Sequence, residues 1–497
     1  MEKRHSCLLA FVLSVVISLS VFASEQPLTQ VCPQPQKGTI SADAYVPLEH
    51  VVIATSDMEA VTWARKHARE WFGKHAPVIE QCAPEGAPLK PDTYKMTTGK
   101  SQTFIEAGSL ESVRYAMYTL RQLAMPARGT LTVQGWIVPQ VDITDYPALS
   151  FRGIHICWFP ETEPWEVERF IRLAAYYKMN YAVIEPWGTY RSRVAPWFGW
   201  EEGKMTKKEI KRLCKIADDL GITLIPQLNV FGHATMSRGG DGSHAVLDIH
   251  PEYAPIFEPA GGWNYCLSNP ATRELLTSLI EELHEAFGNP PFFHIGCDEA
   301  ETPSCPDCKA RPYTELFVEH LEAMSDVIIR RGARPMMWHD MLLRRGDERW
   351  KGFYANGDVN AEQTLMNLPK DIIVCDWYYG NPMDTYPTYS YFKEQGHGVL
   401  ACPWDNVNGT LKEGEEARKA GIDGMLGTIW HHYYGSNFVN IFRSLPQAAW
   451  NQDPHHAYTQ SRAEFRNHLR DVENDMQIKH STQAGYHRYQ ISRSQQN

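Results

Sequence analysis

The chain has 497 residues, of which 43% are hydrophobic and 11% aromatic, and its formal net charge at pH 7 is −11. This length exceeds one ordinary domain and predicts two or three, although a single eight-fold α/β barrel alone takes about 250 residues. The charge is spread along the chain without a basic block, which argues against nucleic acid as the ligand.

Residues 1–24 have the pattern of a secretory signal peptide. A basic start at Lys3 and Arg4 precedes the apolar run Leu8–Phe22, and residues 21–23 offer a small-residue cleavage site. The run is shorter than the roughly 18 residues that a membrane span needs, and no later stretch could cross a bilayer. We therefore expect a periplasmic or secreted protein without a membrane span after cleavage, with an uncleaved anchor as the alternative.

Eleven cysteines are present in the whole sequence. An exported location permits disulfides, but spacing alone does not assign their partners. Cys305 and Cys308 form a Cys-x-x-Cys motif, and zinc would need two further ligands beside them. We favour a loop-stapling disulfide or free thiols over zinc, and we expect neither a metal nor a cofactor.

The first part of the mature chain predicts a tether and a small α+β domain. Residues 25–45 are polar and contain proline, which favours a tether. Residues 46–147 form the domain, and no cluster of charged or catalytic side chains occurs in it. Its predicted strands and helices are Val51–Ala54, Ser56–Phe72, Thr103–Ala107, Leu110–Ala124 and Gly135–Asp142, with Ser56 as a helix N-cap.

Residues 148–452 alternate between strand and helix patterns, which implies a parallel sheet. The predicted strands are Gly153–Trp158, Tyr181–Glu185, Thr223–Leu228, the run from Phe292, Pro335–Trp338, Ile372–Asp376, Gly398–Cys402 and Gly424–Ile429. The predicted helices are Glu163–Lys178, Thr206–Leu220, Pro270–Phe287, Tyr313–Arg331 and Phe438–Trp450. Eight repeats predict an α/β fold of the (β/α)8 TIM-barrel class. Residues 453–497 predict a polar, helical tail.

The stretch Phe292–Glu301 carries the strongest functional signal. Its apolar strand ends in two adjacent carboxylates, Asp298 and Glu299, and parallel barrels place their chemistry where strands end in loops. Adjacent acids repel each other, which suits a division between a protonated acid and an ionised partner. The pair therefore predicts general-acid chemistry.

Other polar and aromatic residues accompany the predicted barrel strands, and we expect them to open on the same face. They are Arg152, His233, His294, Trp338, Asp340, Asp376, Trp377, Tyr378, Trp404, Asp405, Trp430 and His431. A tryptophan follows each of four successive strands, and such flat apolar rings can stack on the C–H faces of sugars. We therefore predict a pocket for a monosaccharide, where two carboxylates would cleave a glycosidic bond.

The spacing of the two acids bears on the mechanism. The usual retaining and inverting pairs lie about 5 Å or more apart, on opposite sides of the sugar, and neighbouring residues do not readily flank the anomeric carbon. This favours a substrate that supplies its own nucleophile. A 2-acetamido oxygen would attack C1, Asp298 would orient the acetamide, and Glu299 would protonate the leaving oxygen.

The motif His294-Ile-Gly-Cys-Asp298-Glu299 resembles the His-x-Gly-x-Asp-Glu signature of glycoside hydrolase family 20, the β-N-acetylhexosaminidases. Residues 112–123 resemble the accessory domain of that family and residues 142–153 its entry to the barrel, so the likeness covers roughly residues 45–450. It implies an exo-acting, retaining enzyme whose substrate is a glycan with a terminal β-linked GlcNAc or GalNAc.

The resemblance also implies roles for individual residues. Glu299 would be the general acid/base and Asp298 the partner of the acetamide. Arg152 would bind sugar hydroxyls, and His233 would support the acid. The residues that would wall the pocket are Trp338, Trp377 and Trp430.

The sequence departs from the family pattern after three strands. Glu185-Pro186-Trp187 stands where the family has Trp-His, and Trp404 stands after the seventh strand, where the family has a tyrosine that binds the acetamide oxygen. Trp430 is followed by two histidines rather than by the family's x-Glu. These departures predict a divergent member with an altered glycan preference.

Three alternatives stay open. One is a retaining glycosidase of another specificity, with a distant nucleophile among Asp340, Asp376 and Asp405. Another is a silent glycan-binding barrel, against which the intact acidic pair argues. The last is a metallohydrolase with ligands at His233, His294 and Asp298, although no paired histidine spacing on a helix occurs.

Overall fold

The computed structural model describes residues 25–26, 31–84, 86–100, 102–127, 135–199, 204–235, 246–259, 261–430, 436–453 and 459–477. The expected signal peptide, His431, His432 and the end of the predicted tail lie outside these ranges. Within them we find no helix with the length and apolar character that crossing a bilayer requires.

The amino-terminal part forms an α+β accessory domain. Its strands are β1 (Glu25–Gln26), β2 (Lys37–Pro47), β3 (His50–Ala54), β4 (Val78–Cys82), β5 (Tyr94–Thr98), β6 (Thr103–Ala107), β7 (Met125–Pro126) and β8 (Trp136–Asp145). Its helices are α1 (Met58–Phe72) and α2 (Leu110–Leu123), with a 3₁₀ turn at Gly73–His75. The sheet order is β1-β2-β8-β5-β6-β3-β4, and β7 pairs with β8. The predicted α+β domain is confirmed.

Two details of the amino-terminal prediction are wrong. Much of the predicted tether belongs to the sheet, because β2 pairs antiparallel with β8 from Lys37 to Pro47, with a shift in register after Ser41. Among the described side chains of β2, Ile40 and Val46 are the buried ones, so the strand lacks a clear alternating pattern. Helix α1 is capped by Asp57 rather than Ser56, and the Asp57 carboxylate accepts the first free backbone N–H groups.

The second part is a parallel barrel. Its strands are β9 (Phe151–Trp158), β10 (Tyr181–Pro186), β11 (Thr223–Pro226), β12 (Phe292–His294), β13 (Arg334–Trp338), β14 (Ile373–Tyr378), β15 (Gly398–Pro403) and β16 (Gly424–Ile429). They pair in the order β11-β10-β9-β16-β15-β14-β13-β12. A parallel bridge between Gln227 and His294 joins the two ends of this order, so the predicted (β/α)8 barrel is confirmed.

Helices and short turns follow the strands. The helices are α3 (Pro164–Tyr176), α4 (Lys207–Leu220), α5 (Val246–Ile249), α6 (Pro270–Ala286), α7 (Pro306–Lys309), α8 (Tyr313–Arg330), α9 (Ala361–Asn367), α10 (Pro387–Glu394), α11 (Val407–Ala420), α12 (Ser436–Trp450) and α13 (Arg462–Asp475). Further 3₁₀ turns lie at Pro251–Ile256, Asp340–Leu342 and Glu348–Trp350.

Helices α4 and α13 show why such segments fold where they do. In α4 the Thr206 side chain caps the first turn, the buried residues recur every three or four positions, and Gly221 ends the helix at φ +82°. Helix α13 realises the predicted helical tail, and it buries Phe465 and Val472 where it contacts α3 and α12.

A buried ion pair joins the accessory domain to the barrel. Lys178 Nζ, in the loop before β10, lies 2.8 Å from Asp145 Oδ2 at the end of β8, and neither side chain is exposed. The same carboxylate accepts hydrogen bonds from the Tyr94 hydroxyl and from Trp450 Nε1. Burial lowers the pKa of Lys178, and the Asp145 charge offsets part of that effect. The two units therefore share one polar core at the amino ends of the barrel strands.

Candidate active site

A cavity of about 360 Å³ opens at the carboxyl ends of the barrel strands, within the size range of about 300–1,000 Å³ that is common for small-molecule sites. It is lined by Glu185, Trp187, Asn229, His233, Trp263, Asp298, Glu299, Trp338, Tyr354, Trp377, Tyr379 and Trp430. The structure thus brings together Asp298, Glu299, His233 and the tryptophans at 338, 377 and 430, as the sequence predicted.

The loop that carries the two acids has an unusual backbone. Gly296, Cys297 and Glu299 have φ values of +66°, +76° and +49°, and such conformations cost roughly 1–3 kcal/mol each for residues other than glycine. A Cβ at position 296 would lie 1.9 Å from Asn229 Oδ1, so glycine is required there. The surrounding contacts must therefore hold this loop in place.

Two hydrogen bonds hold Glu299 from opposite sides. Its backbone N–H donates to Asp340 Oδ2 at 2.8 Å, and its carbonyl accepts from Trp263 Nε1 at 2.8 Å. Asp340 is fully buried and also accepts from Asn356. Burial and the nearby Asp298 carboxylate raise the pKa of Asp340. These bonds fix the direction in which the Glu299 side chain leaves the backbone.

His233 lies between the two acids. Its Nε2 is 3.4 Å from Asp298 Oδ2 and 3.3 Å from Glu299 Oε2. The Glu299 side chain is 48% exposed, whereas that of Asp298 is 12% exposed. Asp298 Oδ1 is buried and has no hydrogen-bond partner among the described residues. A buried acceptor in a cavity wall can be satisfied by a ligand N–H or O–H.

Aromatic rings form most of the remaining wall. The Trp338 and Trp430 ring centroids lie 5.9 Å apart, and Tyr354 stacks on Trp377 with centroids 4.0 Å apart. Trp430 Nε1 donates to the Tyr379 hydroxyl at 2.9 Å. Burial raises the pKa of Tyr379 well above its usual value, so this hydroxyl keeps its proton. The cavity combines flat apolar walls with a few placed polar groups.

Glu185 contributes a further buried carboxylate. Its Oε2 lies 2.8 Å from His155 Nε2, and its Oε1 accepts from Asn229 Nδ2 at 2.9 Å. The Cys157 thiol donates to the same Oε2 at 3.4 Å. The ligand atoms of His155, Cys157 and Glu185 lie within 4.8 Å of one another, but the protein already engages both Glu185 oxygens. The group fits a structural network better than a metal ion.

The prediction of Arg152 as a ligand of the sugar is wrong. Arg152 lies at the amino end of β9, opposite the cavity, and its side chain is 3% exposed. Its guanidinium donates to the carbonyls of Leu149, Ser150 and Lys178 and to the Tyr115 hydroxyl. Arg152 therefore links the barrel to the accessory domain by hydrogen bonds.

His294 and Asp340 do not contact the cavity either, which corrects their prediction as substrate-binding residues. His294 is fully buried beneath Trp338, with ring centroids 4.4 Å apart. Its Nδ1 accepts from the Gly296 N–H, and burial, aided by the nearby His155, lowers the pKa of His294 well below its usual value. Both residues support the wall from behind.

Tyr378, Trp404 and Asp405 also lie outside the cavity lining. Side chains alternate along a strand, so Tyr378 points away from the cavity, and its hydroxyl donates to the Asn381 carbonyl at 2.9 Å. Its neighbour Tyr379 takes the inward position. Trp404 contacts Tyr379 edge to face from outside, with centroids 5.3 Å apart.

Sequence reasoning missed part of the lining. The missed residues are Glu185, Trp187, Asn229, Trp263, Tyr354 and Tyr379. Glu185 lies at the end of the second barrel strand, Trp187 directly follows it, and Asn229 follows the third strand, so their strand-end position is the signal that could have found them. Trp263 and Tyr354 lie deep in loops and carry no such signal.

The carboxylates considered as alternative nucleophiles do not line the cavity. Asp340 and Asp376 are 0% and 1% exposed, and burial raises the pKa of Asp376. Asp340, Asp376 and Asp405 all lie outside the cavity lining.

The metallohydrolase alternative is not supported. His233, His294 and Asp298 are not among the described groups whose ligand atoms are close enough for a metal ion.

The sequence matches two models of one known family. Residues 134–443 match the catalytic-domain model of glycosyl hydrolase family 20, and residues 28–146 match the model of its domain 2. A β-hexosaminidase of Porphyromonas gingivalis is 25% identical over 72% of this chain and 50% of that protein. A β-hexosaminidase of Akkermansia muciniphila is 25% identical over 51% of this chain and 56% of that protein. The chain spans about half the length of these curated relatives.

Several solved structures have a similar fold. A GH20 exo β-N-acetylglucosaminidase from Vibrio harveyi, in complex with N-acetylglucosamine, has a TM-score of 0.68 at 18% identity, covering 91% of this chain and 78% of that one. A Streptomyces plicatus N-acetyl-β-hexosaminidase has a TM-score of 0.64 at 17% identity, covering 91% and 96%. At these identities the likeness establishes the fold.

Proposed function

The chain belongs to glycosyl hydrolase family 20, and we propose that it removes terminal β-linked N-acetylhexosamine from glycans by a retaining, substrate-assisted mechanism. One observation carries the mechanism: Asp298 Oδ1 is a buried acceptor without a partner among the described residues, in the cavity that Glu299 also lines. An acetamide N–H is the donor that such an oxygen would accept.

In the proposed reaction the sugar lies between the tryptophans with its acetamide toward Asp298. The acetamide N–H donates to Asp298 Oδ1, and the acetamide oxygen attacks C1 as the bond from C1 to the leaving oxygen breaks. Glu299 gives its proton to that oxygen. Water then attacks C1 of the oxazolinium ion and loses a proton to Glu299, which restores both the acetamide and the β configuration.

Two neighbouring groups support these roles. The imidazole of His233 lies within 3.4 Å of a carboxylate oxygen of each acid. It can therefore stabilise the negative charge on whichever of the two acids is ionised. The Tyr379 hydroxyl lines the cavity, accepts from Trp430 Nε1 and also contacts Thr428, and its O–H is a hydrogen-bond donor. We infer that it donates to the acetamide oxygen, the role for which a tyrosine after the seventh strand was expected.

The leaving group has a place beside the acid. A second, wider depression shares Trp263 and Glu299 with the cavity and continues along Arg345, Asn356 and Asp358. Glu299 is half-exposed at this junction. A general acid in this position can reach the oxygen between the bound sugar and the rest of the glycan.

A protein nucleophile is the competing mechanism. Besides the acidic pair, Glu185 is a lining carboxylate, but each of its oxygens already contacts a protein donor group, from His155 or Asn229. A nucleophilic carboxylate needs an oxygen free to reach C1. The arrangement therefore favours the acetamide.

Hydrolysis of 4-nitrophenyl β-GlcNAc, β-GalNAc and β-glucoside, with and without a thiazoline mimic of the oxazolinium ion, tests the proposal. We expect activity on the acetamido sugars alone, and we expect the thiazoline to abolish it. Activity on the glucoside without a thiazoline effect would move the nucleophile to the protein, with Glu185 as the first candidate. An absence of hydrolysis with all three substrates would refute the proposed activity.

Two variants separate the roles of the acids. Glu299→Gln should lower turnover of natural linkages by a factor on the order of 100 or more, the scale of general acid catalysis, and it should harm good leaving groups less. Asp298→Asn should fail with both kinds of substrate. Glu322→Gln, at an exposed carboxylate on α8 that lines neither the cavity nor the depression, is the matched control and should keep full activity.

We also propose that the protein is exported, on the basis of the signal-like residues 1–24. Amino-terminal sequencing of the chain recovered from the periplasm or medium should begin after residue 23. Recovery of an intact amino terminus from the cytoplasm would refute this.

A further inference from the structure

Two loops near the cavity meet at a cluster of three thiols and a carboxylate. Glu258 and Cys266 belong to the loop between β11 and α6, and Cys305 and Cys308 flank the start of α7 after β12. Their ligand atoms lie within 4.8 Å of one another. Cys266 and Cys308 are buried, and Glu258 is 5% exposed. The sequence motif Cys-x-x-Cys therefore has the two further ligands that spacing alone could not supply.

The spacing of the sulfurs fits a metal ion. Cys266 Sγ is 3.6 Å from Cys305 Sγ and 3.8 Å from Cys308 Sγ. A tetrahedral zinc ion with Zn–S bonds of about 2.3 Å holds its sulfurs about 3.8 Å apart. All ten described cysteines are free thiols, so the disulfide that the motif suggested does not occur among them.

The carboxylate is oriented for a cation. Glu258 Oε2 accepts from the backbone N–H groups of Ser304 and Cys305, both at 2.7 Å. Its Oε1 is buried without a hydrogen-bond partner in the described part of the chain. A buried carboxylate oxygen without a donor is expensive unless a cation or ligand satisfies it.

We propose that Glu258, Cys266, Cys305 and Cys308 bind one zinc ion. On binding, each of the three thiols loses a proton to solvent, and three thiolates and the carboxylate complete a tetrahedron. Such a site leaves no open position for water, so its role is structural. Soft thiolate ligands select zinc over magnesium or calcium.

The site would fasten the loop that carries the general acid. Cys266 follows Trp263, whose indole N–H donates to the Glu299 carbonyl. Between them, Asn264 exchanges two hydrogen bonds with the backbone of Glu301. Zinc at the far end of these contacts would hold both loops together and so keep Glu299 in place.

Metal analysis of the full-length protein, isolated without chelators, tests the site directly. We expect about one zinc ion per chain, and we expect all cysteines to react with iodoacetamide after denaturation with chelator but without reductant. Replacement of zinc by Co²⁺ should give the intense visible absorption of a tetrahedral thiolate complex. A disulfide that includes Cys266, Cys305 or Cys308, or a chain that takes up no zinc after incubation with it, would overturn the proposal.

Variants locate the metal. Cys308→Ser should lose the bound zinc and lower the melting temperature by several degrees. Glu258→Gln keeps an acceptor for the two backbone N–H groups, so it should fold and yet bind zinc at least tenfold more weakly. Cys82→Ser, at a half-buried thiol in the accessory sheet, is the matched control and should keep its zinc. Full zinc content in both site variants would place the ion elsewhere and refute the assignment.

Discussion

Replacing Lys178 by methionine tests the interface between the accessory domain and the barrel. The change removes the cation that lies 2.8 Å from Asp145, in a place where neither side chain is exposed. The carboxylate would keep its neutral donors Tyr94 and Trp450. Removing one partner of a buried pair costs about 3–5 kcal/mol, and because these donors remain we expect the lower end, about 3 kcal/mol.

Urea unfolding measures this effect in the free energy of unfolding, followed by tryptophan fluorescence and by far-ultraviolet circular dichroism. Lys207→Met is the matched control, because Lys207 and Glu285 lie at a similar distance, 2.7 Å, but are 39% and 58% exposed. An exposed pair contributes about 0–1 kcal/mol. If Lys178→Met destabilises the protein no more than Lys207→Met does, the reasoning about the buried pair is refuted.

A double-mutant cycle adds a further check. Asp145→Asn in the Lys178→Met background removes the uncompensated charge, so the double variant should be more stable than Lys178→Met alone. A double variant whose losses simply add would show that Lys178 and Asp145 do not act as a pair.

Three further predictions concern the site and the core. Asp340→Asn should lower kcat/KM about 10- to 100-fold, because both Asp340 oxygens accept hydrogen bonds, Oδ2 from the Glu299 N–H and Oδ1 from Trp377 Nε1, and an amide keeps only one acceptor oxygen; unchanged kinetics would contradict its positioning role. Tyr379→Phe should lower kcat/KM for acetamido sugars about tenfold, whereas Tyr378→Phe, the outward neighbour, should not, and equal effects would refute the assignment. Burial lowers the pKa of His320 to about 4, so the native state stays neutral while the unfolded chain takes up a proton below about pH 6.5. This difference in pKa contributes about 3 kcal/mol to the free energy of unfolding above pH 6.5, and that contribution is lost as the pH falls toward 4. In urea unfolding, His320→Gln should therefore show a smaller fall in the free energy of unfolding between these pH values.

The barrel could be predicted from the sequence because its strands are continuous apolar runs. The eighth strand was predicted at Gly424–Ile429, where it is found. The fourth is shorter than its apolar run suggests, since Phe292–His294 is followed by the left-handed residues Gly296 and Cys297. β2 was missed because its buried residues do not alternate and its partner strand lies about a hundred residues away.

Site residues could be predicted where the direction of a strand alone shows at which end of the barrel they lie. They were missed where side-chain orientation or contacts between distant segments decide their place. Arg152 begins a strand rather than ending it, and so faces the accessory domain. Tyr378 and Tyr379 cannot be distinguished until the inward face of the strand is known. Cys266 lies 42 residues from Cys308, and nothing local in the sequence connects them.

The network around Asp145 also sets an order of events during synthesis. Asp145 bonds to Trp450, which is 305 residues further along the chain. At a synthesis rate of roughly 5–20 residues per second, those residues take about 15 to 60 s to appear. During that interval Asp145, at the end of β8, lacks its hydrogen-bond donor Trp450. A ribosome that stalled before Trp450 would therefore leave a nearly complete barrel with charged residues at its base, and such a chain should be a good substrate for quality-control proteases.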